Sequence, residues 1–136
     1  MGIDSPSHSN GAAYGDLDND GDIDLVINNV NDKASVLENL SLNKDSIKNY
    51  VRFKLSGNKK NKIIYGSTLT LFREKSIQKQ LLTPQRGYLS QSETILHFGL
   101  GASKTIDSVQ IRWTGGEIQS FFDIKINKIN HIYRKL

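Results

Sequence analysis

The sequence predicts an all-β protein: a small antiparallel β-sandwich or barrel, preceded by a short unit of three strands. Three observations carry that expectation. From Tyr50 onward, apolar residues return at every second position, the period of a half-buried strand. Clusters of Asp, Asn and Gly punctuate the chain at short intervals, as they do between strands. No stretch sustains the longer apolar period of a helix. The 136 residues suit one ordinary domain, or one small domain with an appended fragment.

Taken in order, Met1-Gly2 and the mostly polar residues 3–10 read as an irregular, disordered start lying inside a longer gene. Residues 11–40 hold three strand candidates, at 11–14, 23–28 and 35–38, the spacing of a small antiparallel meander. Three short strands make a poor core by themselves. Residues 41–49 are polar and without period, and read as a linker to the domain at 50–136.

Within that domain, Val51, Phe53 and Leu55 alternate with Arg52, Lys54 and Ser56. Leu69 and Leu71 do the same, as do Val109, Ile111 and Trp113. Further strands are expected at 77–82, 94–98, 117–122 and 129–133. Gly115-Gly116 supplies the positive backbone angles of a two-residue hairpin turn. The Lys and Asn cluster at 58–62 reads as a solvated loop whose charges keep neighbouring edges soluble.

Hydrophobic content of 37% and charged content of 24% are ordinary for a globular chain. There is no cysteine, which excludes disulfides, thiolate zinc sites and cysteine nucleophiles. No apolar run reaches the roughly 18 to 20 residues of a membrane helix, and the first 30 residues lack the layout of an export signal. The net charge of +4 conceals a division: residues 1–40 carry eight acids and one base, net −7, and residues 41–136 carry net +11. An acidic segment calls for a cation. A basic one admits nucleic acid, acidic glycan or an acidic protein surface.

The acidic charge is concentrated in GDLDNDGDIDL, where five carboxylates fall within nine residues. Such crowding is unfavourable unless a cation neutralises it, and hard oxygen donors in a flexible loop suit Ca2+ better than zinc, copper or magnesium. With Asp16 as position one, Asp18, Asp20 and Asp24 stand at positions three, five and nine. Gly21 permits the sharp turn at position six. Asp22 at position seven offers its backbone carbonyl, with its side chain expected to face solvent. An EF-hand needs Glu at position twelve and flanking helices; Ile27 stands there within an apolar, largely β-branched run, so the loop joins two strands instead.

Other chemistry-bearing residues are less organised. His8, His97 and His131 have no metal-ligand spacing, and His97 reads as an ordinary strand residue. Ser90 and Ser92 lack a nucleophile elbow, and Asp107 and Glu117 form no evident acid and base pair; no enzyme activity is expected. Arg86, Tyr88 and Gln91 are the polar and aromatic part of a Gly- and Ser-containing loop, where recognition residues collect on rigid sheets. Trp113 reads as core. The bases of 41–136 are scattered and match no RNA-recognition signature, which makes nucleic acid the weaker partner class.

The stretch from Gly11 to Leu40, GAAYGDLDNDGDIDLVINNVNDKASVLENL, resembles an FG-GAP or VCBS repeat, the calcium-loop unit of β-propellers. The stretch from Tyr50, with GYLSQSE, LHFGLG and DSVQIRWTGGEIQ, resembles the ASPIC/UnbV domain that follows such repeats in cartilage acidic protein and in bacterial envelope proteins. The resemblance implies a partial propeller-type repeat ahead of the β domain, and Ca2+ held by Asp16, Asp18, Asp20 and Asp24 with the Asp22 carbonyl. It implies no catalytic residue. A single repeat cannot close a propeller, so the expected protein is the C-terminal part of a longer chain, exported to the cell exterior or bacterial envelope. There it is expected to meet a protein or glycan in an adhesion-like role, with self-association through open strand edges. The alternatives are RNA binding by the basic domain and service as an accessory domain of a secreted enzyme.

Overall fold

In the computed structural model of the chain, residues 6–40, 48–74 and 76–135 are described. Among them there are ten strands and no helix. The chain divides into two units: residues 48–83 with 94–136 form one, and Met1–Ile47 with Pro84–Glu93 form the other. Residues 84–93, read above as part of the β domain, therefore cluster with the acidic segment.

In the larger unit, β4 (Asn49–Ser56), β7 (Ile95–Gly101) and β10 (Ile129–Tyr133) make a sheet in the order β10-β4-β7. β5 (Thr68–Arg73), β6 (Ser76–Leu81), β8 (Ser108–Arg112) and β9 (Ile118–Phe121) make a second, ordered β6-β5-β8-β9. Two separate sheets around one core make a sandwich rather than a closed barrel. The alternation seen in the sequence explains the core: Val51, Phe53 and Leu55 on β4 share it with Leu96 and Phe98 on β7, Leu69 and Leu71 on β5, and Val109 and Ile111 on β8. Phe53 and Phe98 meet edge to face, 5.9 Å between centroids, a favoured aromatic geometry. Trp113 is 1% exposed, and its Nε1 donates to Gln119 Oε1 at 2.9 Å.

One pairing departs from the antiparallel expectation: β10 runs parallel to β4. Asn127, in the left-handed region at φ 54°, fixes the start of that pairing. Its N–H donates to the Tyr50 carbonyl at 2.7 Å, its Oδ1 accepts the Tyr50 N–H at 3.0 Å, and its Nδ2 donates to Asn49 Oδ1 at 2.9 Å. On the other flank of this sheet, side chains from the second sheet reach the β7 carbonyls. Gln78 and Gln80 of β6 donate to Gly99 O at 3.0 Å and His97 O at 2.6 Å, and Arg73 of β5 donates to Leu100 O at 2.6 Å. The glycine turn also differs from expectation. Trp113 and Glu117 close a loop of three residues rather than two, with Gly115 and Gly116 at φ 112° and 98°.

In the smaller unit, β1 (Ser9–Gly15), β2 (Asp24–Asn29) and β3 (Ser35–Leu37) form the expected antiparallel meander. Ser9 and Asn10 already belong to β1, which corrects the irregular start read for residues 1–10; residues 1–5 lie outside the described residues. The linker read at 41–49 falls outside them over 41–47, and Asn49 opens β4.

Candidate metal centre

Gly15 and Asp24 are register partners at the ends of β1 and β2, so the acidic loop is the connection of a hairpin. Two residues in it take the left-handed conformation, Asn19 at φ 63° and Gly21 at φ 99°; both residue types tolerate it better than a branched side chain. The aspartates organise their own backbone. Asp18 Oδ1 accepts the Asp20 N–H at 3.1 Å and Asp20 Oδ1 accepts the Asp22 N–H at 2.9 Å, the local turns that Asp makes readily. Asp24 reaches across the loop: Oδ2 accepts the Leu17 N–H at 2.9 Å and Oδ1 the Asn39 N–H at 2.8 Å.

This wiring turns Asp16, Asp18 and Asp24 toward one another, with one carboxylate oxygen from each lying within 4.8 Å of the others. That spacing matches oxygens arranged around a cation with bonds of roughly 2.3 to 2.6 Å. The donor set is all hard oxygen, which suits Ca2+ and not a thiophilic or imidazole-preferring metal. Asp20 is outside the convergent group. The Asp22 N–H bonded to it favours its ionised form, but desolvation and the charges of Asp22, Asp18 and Asp16 together outweigh that bond and hold its carboxyl above the usual value. Asp22 corrects the sequence reading: its side chain does not face solvent, the residue being 6% exposed.

The burial of this unit is unusual. Among the described residues its buried side chains are those of Asp16, Asp22, Asp24, Asn29 and Ser92, and none is apolar. Its apolar residues Leu25, Val26 and Ile27 are only half-buried, so burial of the carboxylates carries a desolvation cost with little fully buried hydrocarbon to offset it.

Residues 84–93 pack against β1 in the same unit. Ser92 Oγ accepts the Tyr14 N–H at 3.1 Å, and the Arg86 guanidinium lies 5.3 Å from the Tyr14 ring centre, within cation–π range. Gly11 is needed for this approach, because a side chain there would press on Ser90 Oγ and the Tyr88 carbonyl. Of the three candidate recognition residues, Arg86 thus turns to Tyr14, Gln91 pairs with Gln85 to close the loop, and Tyr88 stands free at 66% exposure. Beside it Leu89 is 89% exposed in a left-handed conformation, φ 46°. Sequence reasoning passed over Leu89 and weighed Ser92 only as a nucleophile, since no local pattern announces a contact made 78 residues away.

The other singled-out residues are dispersed. His97 lies on β7 with its ring stacked on Tyr50 at 5.6 Å and 11°, and Trp113 belongs to the core. Among the described residues, no helix is long and apolar enough to cross a membrane. The family described as ASPIC and UnbV matches residues 57–135. No curated protein matches the chain.

Proposed function

The chain belongs to the ASPIC and UnbV family, and from that premise we propose that it is a non-catalytic, Ca2+-braced interaction module of an exported protein. Residues 11–40 act in this reading as a single FG-GAP or VCBS-type repeat. The observation that carries it is the convergence of Asp16, Asp18 and Asp24 in a unit with no apolar side chain buried among its described residues. Asp16, Asp18 and Asp24 would hold the ion, with Asp20 and the Asp22 carbonyl completing the shell. The ion supplies the charge neutralisation that the buried carboxylates require. With the loop ordered, β1 is held, and through Tyr14 so is the loop bearing Arg86, Tyr88 and Gln91, which meets a protein or glycan partner. A weak site of this kind suits the cell exterior, where calcium is abundant.

Calorimetric melting in Ca2+ and in chelator tests the brace. At a free concentration near one hundred times Kd, binding stabilises the native state by about 2.7 kcal/mol. The melting temperature of the transition that includes residues 6–40 should rise accordingly, and Asp16→Ala should remove the rise. Identical melting in both conditions would overturn the brace while leaving the fold intact.

A further inference from the structure

The described residues offer a second interaction surface, in the larger unit and built from charge. Val51, Phe53 and Leu55 point into the core, so Lys54 and Ser56 project from the opposite face of β4. The parallel register sets His131 beside Lys54 and Tyr133 beside Ser56 on that outer face. Lys54 and His131 are both exposed, and Tyr133 is 64% exposed.

The chain then enters the lysine cluster immediately beyond Ser56. The loop is solvated, as expected, and it is also tied together internally. Asn58 Oδ1 accepts the N–H groups of Lys60 and Asn61 at 2.9 and 2.7 Å, and the Asn58 N–H donates to Asn61 O at 3.0 Å. The turn folds back so closely on Gly57 that a side chain there would collide with the Asn61 carbonyl and with Lys62 Cα. Asn58 Nδ2 donates to the Lys135 carbonyl at 3.1 Å, which ties the loop to the strand end carrying Tyr133. Lys59, Lys60 and Lys62 are exposed, and among the described residues none has an ion-pair partner. Three like charges in one compact turn concentrate positive potential at this end of the sheet.

We infer that Lys54, Lys59, Lys60 and Lys62, with Tyr133, bind an acidic polysaccharide, a chain bearing carboxylate or sulfate groups. The reasons favour glycan over nucleic acid. The exposed cations are lysines, compact point charges on flexible stems, which pair with a carboxylate or sulfate without demanding bidentate geometry. On the β4 and β10 face the exposed tyrosine is Tyr133, a single surface for a sugar ring, whereas single-stranded nucleic acid is held by successive aromatic platforms. The inference concerns a surface separate from the loop at 84–93 and needs no cation.

The test is binding of the full chain to chondroitin sulfate, neutral dextran and poly(U) RNA across a salt series, each with Ca2+ and with chelator. Chondroitin sulfate should bind, weaken steeply with salt and ignore the chelator; dextran should not bind. Lys59→Glu/Lys60→Glu/Lys62→Glu should reduce affinity by about tenfold or more and flatten the salt slope. Tyr133→Ala should weaken binding with the slope unchanged. Melting curves verify that the variants fold; should the triple variant not fold, Lys54→Gln and Tyr133→Ala decide. Absence of chondroitin sulfate binding at low salt, insensitivity to these substitutions, or tighter binding of poly(U) at equal charge would each overturn the inference. Binding lost only in chelator would assign the ligand to the calcium-braced unit instead.

Discussion

Arg134 is a cation held almost wholly out of water, its side chain 3% exposed. The Glu117 carboxylate pairs with it, the Thr114 carbonyl accepts from Nη2 at 3.1 Å, and the guanidinium lies 5.7 Å from the Trp113 ring centre. The hydrogen bond from Arg134 holds the Glu117 carboxyl below its ordinary value of 4.5. A carboxyl with a lowered folded pKa adds stability above its unfolded pKa and loses it as pH falls through the folded one. Glu117→Gln should therefore lower the melting temperature at neutral pH, and the gap from the parent should close as pH drops below 4.5. A gap constant over that range would show that the pair adds nothing through ionisation. Trp113→Ala acts by a different route, emptying a fully buried site at a cost of about 3 to 5 kcal/mol, measurable by denaturant unfolding. The sequence announced Trp113 as core through its alternation with Arg112 and Gln110. It could not announce that Asp22 turns inward, because that depends on an N–H bond to Asp20 and a left-handed Gly21, and residue spacing alone does not specify a loop's curl.

At the scale of strands, alternation made β4, β5 and β8 legible, and the other seven were expected to within a few residues. What alternation leaves open is which strand neighbours which. The β10-β4-β7 order and its parallel pair rest on Asn127 and on contacts between residues almost eighty positions apart. The same applies to the seam between β6 and β7. β7 is an edge of its sheet, and an uncovered edge invites pairing with another chain. Gln78 and Gln80 cap its Gly99 and His97 carbonyls. Gln78→Ala/Gln80→Ala should cost about 1 kcal/mol per lost bond and increase self-association in light scattering. If scattering at matched stability is unchanged, the glutamines contribute to stability but do not guard the edge.

At the scale of the molecule, all buried hydrophobic core residues belong to the larger unit. A chain lacking residues 1–47 should therefore keep a cooperative melting transition. Its loop at 84–93 would lose Tyr14, the ring beneath Arg86 and the donor to Ser92. Limited proteolysis should then cut within 84–93 much faster than in the full chain, while the sandwich resists. Protection of that loop in the truncated chain would show that it needs no support from β1. Neither the grouping of 84–93 with the acidic segment nor the polar character of that unit's fully buried side chains could be read from composition, since both arise from where distant segments meet.

The parallel pairing of β4 and β10 has a mechanical meaning. β4 opens the sandwich and β10 closes it, and the two run in the same direction over five register pairs. Tension applied at the start of β4 and the end of β10 drags these strands lengthwise past each other. All the interstrand bonds then bear load together, instead of opening one at a time as in an unzipped hairpin. Stretched from its ends in a single-molecule experiment, this domain should rupture in one high-force event.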